Sequence, residues 1–135
     1  MFQFTKREKL CNRTEIQNLF TKGQSFLVYP FSVRYTIKDN TISPKVKVLL
    51  LSPKRYQKLA VSRNRVKRLI RETYRLSKDS IIKFAKQEAC DINISISLVS
   101  KDIPTYYLVD ESMKKILNRI IINTKDDIEK NCQNN

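Results

Sequence analysis

The sequence contains no histidine and no tryptophan, and it has a single glycine, Gly23. Histidine is the commonest general base, so its absence removes the Ser-His and Cys-His nucleophile pairs. The three cysteines, Cys11, Cys90 and Cys132, are widely separated and form no C-x-x-C pair. We therefore expect reduced thiols and neither a zinc site nor a disulfide framework.

Long apolar runs are also missing, since none approaches the roughly 20 residues that cross a bilayer. The N-terminal residues 1–13 carry charges and no signal-peptide core, which favours a cytoplasmic protein. A length of 135 residues with 41% hydrophobic and 30% charged residues is typical of one folded domain. We assign residues 1–122 to that domain and residues 123–135 to a polar, disordered tail.

Charge is abundant and unevenly placed. The chain has 27 basic and 13 acidic residues, for a net charge of +14. Residues 54–75 hold nine basic residues and one acid, Glu72, whereas residues 76–135 hold nine of each. A solvated helix face normally mixes both signs, so this concentration indicates a surface that binds a polyanion.

The same stretch has the periodicity of an amphipathic helix. Its apolar stripe consists of Val66, Leu69, Ile70, Thr73 and Tyr74. Arginines and lysines occupy the remaining faces: Arg63, Lys67, Arg71 and Arg75 in one row, with Arg65 and Arg68 beside the stripe. This spacing predicts a helix that packs one side on a core and projects guanidinium groups from the other. Ser62 or Asn64 could cap its start.

The rest of the chain predicts helices and strands around this segment. We expect a first helix from a capping box at Thr14, ending at Gly23 with a positive φ. Strands are predicted over residues 26–38, interrupted by Pro30, over 45–51 and over 92–98. Residues 76–90 either prolong the basic helix or restart it at Asp79. A last helix is predicted from Asp110.

The resulting order is α-β-β-α-β-α, and Pro30 leaves room for a third strand before the basic helix. We therefore expect an α+β protein whose helices pack on one mixed sheet.

A run of residues within the basic stretch carries a family resemblance. Residues 62–72 read SRNRVKRLIRE, which resembles the RNR motif of the protein subunit of bacterial ribonuclease P. The context is similar as well, with Ser52-Pro53-Lys54-Arg55 and Lys58-Leu59-Ala60-Val61 upstream. Leu10, Ile16, Phe20 and Gly23 resemble that family's first helix and its terminating glycine. The resemblance extends over residues 7–122.

The resemblance implies an αβββαβα sandwich with a four-stranded sheet, in which the basic helix forms a left-handed crossover. Crossovers between parallel strands are otherwise right-handed in about 98% of cases. It further implies a subunit without a catalytic centre of its own, which binds a catalytic RNA. That RNA uses Mg²⁺ to remove the 5′ leader of precursor tRNA.

The resemblance also implies two sets of RNA-contacting residues. Contacts to the catalytic RNA are expected from Lys54, Arg55, Lys58, Arg63, Asn64, Arg65, Lys67, Arg68, Arg71 and, by its place in the basic row, Arg75. A cleft for the single-stranded leader is expected from Ile16, Phe20, Phe31, Arg34 and Tyr35, because aromatic faces stack on unpaired bases. Ile16 would give apolar contact where the family often has an aromatic residue. Phe31 and Tyr35 could instead be core, with Arg34 as the alternative cleft residue.

Other classes fit less well. A structural RNA-binding protein of ribosomal type agrees with the composition, and the RNR context argues against it. A protein-only nuclease would need clustered carboxylates for metal ions, and the 13 acids are scattered. A basic-zipper protein would need heptads after the basic helix, and none follow.

Overall fold

The structure is a computed structural model that describes residues 9–10, 13–38 and 42–133. Within these ranges the chain forms four helices and four strands in an α+β arrangement. In chain order they are α1 (Arg13–Lys22), β1 (Gln24–Val28), β2 (Phe31–Lys38), β3 (Val46–Leu51), α2 (Ala60–Ser77), α3 (Asp79–Glu88), β4 (Asp91–Leu98) and α4 (Tyr106–Gln133). The three strands expected before the basic helix are therefore present, because the Tyr29-Pro30 turn divides the first strand region in two.

The strands form one mixed sheet in the order β1-β2-β4-β3. β1 pairs with β2, and β2 with β4, in antiparallel fashion. β3 and β4 are parallel, with Val46 opposite Ile92 and Leu51 opposite Ser97. The connection between these two parallel strands is made by α2 and α3. That it runs left-handed stays a prediction.

Alternation along the strands gives the sheet two different faces. The apolar residues at alternate positions are buried, and they are Phe31, Val33 and Tyr35 on β2, Val46 and Val48 on β3, and Ile92, Ile94, Ile96 and Leu98 on β4. They form a single core with the buried residues of α2, α3 and α4. We call this side the closed face, because three helices cover it.

The opposite side, which we call the open face, carries the residues between those positions. Arg34 and Lys47 lie on it, and both contact α1: Arg34 Nη1 donates to the Phe20 carbonyl at 2.8 Å, and Lys47 Nζ to Glu15 at 3.3 Å. α1 is therefore the helix that packs on this face, where it buries Leu19 completely. The open face is half-buried along Ser32, Arg34 and Thr36.

The basic helix begins earlier than predicted. α2 starts at Ala60 after an N-cap at Leu59 that makes no side-chain capping hydrogen bond, so Ser62 and Asn64 are not its caps. Its buried residues are Val66, Ile70, Thr73 and Tyr74. Leu69, the remaining member of the predicted stripe, packs against the core from its edge. The helix ends at Ser77, and a new helix starts at Asp79, one of the two alternatives predicted.

Gly23 does follow α1, but its predicted positive φ is wrong, because no described glycine has one. The residue is needed for a different reason. A Cβ atom at this position would lie 2.2 Å from the Leu19 carbonyl oxygen, to which the Gly23 N–H donates at 3.0 Å. A close backbone approach therefore explains the glycine.

The last helix is longer than predicted at both ends. It begins at Tyr106, four residues before Asp110, and continues to Gln133. Thr124, beyond residue 122, is fully buried, and its hydroxyl donates to the Ile120 carbonyl at 2.7 Å. The division into a domain of residues 1–122 and a tail of residues 123–135 stays a prediction. No helix in the described part of the chain is long and apolar enough to span a membrane.

Candidate nucleic-acid interface

The side of α2 that faces away from the core is positively charged. Arg65, Arg68 and Arg71 are exposed there together with Asn64, and Lys67 is half-buried beside them. Because Val66, Ile70 and Tyr74 fix the opposite side in the core, these guanidinium groups have a defined direction. Arginine at such positions can grip phosphate oxygens with two parallel hydrogen bonds.

The segment that leads into α2 adds further positive charge. Its three cations, Lys54, Arg55 and Lys58, are all exposed. The Arg55 guanidinium lies 4.9 Å from the centre of the Tyr56 ring. These cations and the exposed residues of α2, from Asn64 to Arg71, form what we call the basic surface.

Two residues expected on the basic surface have other contacts. Arg63 is half-buried, and its Nη1 donates to the carbonyls of Gln57 at 3.0 Å and Lys58 at 2.8 Å. Arg75 forms an ion pair and hydrogen bond with Glu72. That hydrogen bond lowers the pKa of Glu72 and raises the pKa of Arg75. Arg75 therefore neutralises Glu72, the single acid among residues 54–75.

On the other side of the sheet, three of the predicted cleft residues come together. Phe20, which is 40% exposed, lies on α1 with Ile16, which is half-buried. Arg34 reaches over from β2, where its guanidinium stacks on the Phe20 ring at 5.5 Å while Nη1 donates to the Phe20 carbonyl. An aromatic ring and a planar cation are therefore held together beside the open face.

Phe31 and Tyr35 do not join them. Their side chains are 0% and 1% exposed and belong to the core on the closed face. The Tyr35 hydroxyl donates to Gln24 Oε1 at 2.7 Å, and its ring meets Phe26 edge-on. Side chains alternate along a strand, so Arg34 lies on the opposite face from both of them. This burial contradicts the placement of Phe31 and Tyr35 in an accessible cleft and favours the alternative, Arg34.

Beside Arg34 the open face carries small polar side chains that the sequence analysis did not select. The register aligns Ser32 with Ser97, Arg34 with Ser95 and Thr36 with Asn93. The period-2 pattern of residues 92–98 could have identified them, since every polar residue between the isoleucines must face away from the core.

Within the described ranges, no group of three or more cysteine, aspartate or glutamate side chains could hold a metal ion. Together, the basic surface and the open face define an α+β domain suited to contact with a polyanion and with unpaired bases.

Comparison with known proteins agrees with that class. The family model described as Ribonuclease P matches residues 4–121. A ribonuclease P protein component from Porphyromonas gingivalis is 34% identical over 131 residues, covering 96% of this chain and 95% of the relative. One from Chlorobium phaeobacteroides is 30% identical, covering 85% and 86%. The chain belongs to the ribonuclease P protein family, whose members are subunits of the ribonucleoprotein endoribonuclease that processes tRNA.

Solved structures support the fold. The ribonuclease P protein of Staphylococcus aureus aligns with a TM-score of 0.64 at 24% identity, covering 85% of this chain and 96% of that one. The protein from Thermotoga maritima aligns with a TM-score of 0.63 at 22% identity, covering 84% and 97%.

Proposed function

We propose that the basic surface binds the catalytic RNA of ribonuclease P and that the open face beside α1 receives the 5′ leader of precursor tRNA. The protein would then act by holding two RNAs together, while the RNA subunit, with Mg²⁺, performs the cleavage. The cytoplasmic location expected from the sequence belongs to the same proposal. The ribosomal alternative has no support from the family match.

One observation carries the RNA-binding proposal. Arg65, Arg68 and Arg71 are all exposed on one helix whose other side is buried in the core. Three guanidinium groups on a rigid element present a fixed positive surface, and each can neutralise a phosphate. Glu72, the one acid nearby, is occupied by Arg75 and does not oppose them.

The leader proposal rests on Phe20 and Arg34. Both offer planar groups on which an unpaired base can stack, and Phe20 is exposed enough to be reached. Ile16 on the same helix adds apolar surface. The hydroxyl and amide groups of Ser97 and Asn93 supply hydrogen-bonding partners along the sheet. Phe31 and Tyr35 are buried in the core and are not part of this proposed site.

The test is a salt titration of affinity for the catalytic RNA at fixed Mg²⁺. Replacing Arg65 and Arg68 together by glutamine should weaken binding and make the dependence of log affinity on log salt shallower by about 1.4–1.8, since each phosphate contributes roughly 0.7–0.9. The melting temperature should barely change, because glutamine keeps helix propensity and both side chains are exposed.

A matched variant on α3 provides the control. Lys83 and Lys86 are exposed on a helix whose buried residues belong to the same core. Their replacement by glutamine removes the same charge, and we expect little change in the slope. If the Arg65/Arg68 variant keeps the wild-type affinity and slope, the basic surface does not bind the RNA.

A further inference from the structure

The segment of residues 53–59 is held in a defined shape before α2 begins. It opens with a turn in which the backbone N–H groups of Tyr56 and Gln57 both donate to the Pro53 carbonyl at 3.1 Å. The segment carries three of the exposed cations of the basic surface, Lys54, Arg55 and Lys58. Their position relative to α2 depends on what fixes this segment to the rest of the molecule.

Gln57 fixes it on one side. The side chain is only 6% exposed, and its Nε2 donates to the Lys101 carbonyl at 2.6 Å and to the Ser100 carbonyl at 3.4 Å. Both carbonyls belong to the connection between β4 and α4. A buried amide that donates to backbone carbonyls is costly to replace, because they would lose their partner. Gln57 therefore ties the segment to the end of the sheet.

Arg63 fixes the segment on the other side. From the first turns of α2 its Nη1 reaches back to the carbonyls of Gln57 and Lys58, at 3.0 and 2.8 Å. Since α2 has no side-chain cap at its start, this arginine gives the helix a side-chain link to the residues that precede it. A donor nitrogen that serves two backbone carbonyls is directed at the protein, whereas Arg65 and Arg68 are directed at solvent.

We propose that Gln57 and Arg63 are positioning residues of the RNA-binding surface. They hold Lys54, Arg55 and Lys58 in line with the exposed arginines of α2, so that phosphates meet one continuous surface. Arg63 then contributes to RNA binding through these three cations and not through a phosphate of its own. The inference rests on the proposed function, because it assigns a role within the surface proposed to bind the catalytic RNA.

Gln57→Met gives the sharpest test, because it changes no charge. Affinity for the in vitro transcribed catalytic RNA should fall, and the salt slope should become shallower. A variant with Lys54, Arg55 and Lys58 all changed to glutamine shows the largest change in slope that losing these three cations can cause. Its slope should fall by roughly 2–3 if each cation meets one phosphate. A melting curve for each variant identifies a temperature at which the variant is folded, and its affinity is measured at that temperature. A folded Gln57→Met protein with wild-type affinity and slope would overturn the proposal for Gln57.

Arg63→Gln is the second test, and it is read in two backgrounds. In the wild-type chain it should weaken RNA binding. In the Lys54/Arg55/Lys58 triple variant it should cause no further loss, because the cations it positions are already absent. Arg65→Gln, as the control, should weaken binding in both backgrounds.

The outcomes separate this inference from the proposed function. Equal losses for Arg63→Gln in both backgrounds would identify Arg63 as a direct phosphate contact and overturn the positioning role while leaving the basic surface intact. Unchanged affinity in the triple variant and in Arg65→Gln would overturn the basic surface itself and the inference with it.

Discussion

The two faces of the sheet differ in how completely helices cover them, and in the proposed function this difference separates the residues that stabilise the core from those that contact RNA. The closed face is covered by α2, α3 and α4, and most of its apolar strand residues are buried. The open face meets α1 and keeps half-buried polar side chains such as Ser32 and Thr36. Neighbouring residues on one strand therefore have different environments. Tyr35 packs in the core, whereas Arg34 contacts Phe20 beside the open face.

The proposed recognition of RNA also takes two physical forms. Outside the closed face, α2 presents charge, which attracts phosphates over a range that salt shortens to about 10 Å or less. Beside the open face, the Phe20 ring and the Arg34 guanidinium present planar surfaces that act only in direct contact. The first form depends strongly on salt and little on base unpairing, whereas the second depends on unpaired bases. Substitutions on α2 and beside the open face distinguish these two forms.

The largest effect is expected on stability, from two phenylalanines on opposite faces. Phe31→Ala should lower the free energy of unfolding by about 3–5 kcal/mol, because it leaves a cavity in the closed core. Phe20→Ala should lower it by about 1 kcal/mol or less, since the ring is 40% exposed and loses mainly its contact with Arg34. Urea unfolding of both variants measures the difference. Equal losses would mean that the open face is as much a core as the closed one.

Much of this division was predictable from local pattern. The alternation of Ile92, Ile94 and Ile96 with polar residues predicts the two faces of β4, and the 3.6-residue stripe predicts the buried side of α2. Pro30 indicated where the first strand region divides.

The features that the sequence did not predict depend on contacts between parts of the chain that the local pattern does not reveal. Alternation places Phe31 and Tyr35 on one face, but it does not say which face the three helices will cover. Gln57 makes its hydrogen bonds to residues more than 40 positions away, so no local signal exists for it. The hydrogen bonds of Arg63 to backbone carbonyls were not predictable either, because charge alone does not distinguish a solvent-facing guanidinium from one directed at the backbone; its contact with RNA stays a prediction.

A smaller effect is expected on the leader. Phe20→Leu keeps apolar bulk but removes the stacking surface, so binding of precursor tRNA to the reconstituted ribonucleoprotein should weaken by about 1–3 kcal/mol. Binding of mature tRNA, which lacks the leader, should not change. Phe31→Leu is the matched control, since the same substitution on the closed face should leave the ratio of the two affinities as it was. Equal weakening of precursor and mature tRNA by Phe20→Leu would remove the leader site from the open face.

The smallest effect is expected from Glu72→Gln, which tests whether α2 acts by charge alone. The hydrogen bond from Arg75 lowers the pKa of Glu72 and so favours its charged form, and substitution is the direct way to remove that charge. Without that carboxylate Arg75 is no longer neutralised, and one more cation can meet a phosphate. Affinity for the catalytic RNA should then rise, and the salt slope should steepen by about 0.7–0.9. The ratio of precursor to mature tRNA affinity should stay constant, because the open face is untouched.

Glu88→Gln is the control, because it removes the same charge at the end of α3, just before β4 begins. This position lies at the opposite end of the sheet from residues 53–59, so the substitution should leave the slope unchanged. A slope that moves equally in both variants would show that net charge, and not the placement of charge on α2, governs binding.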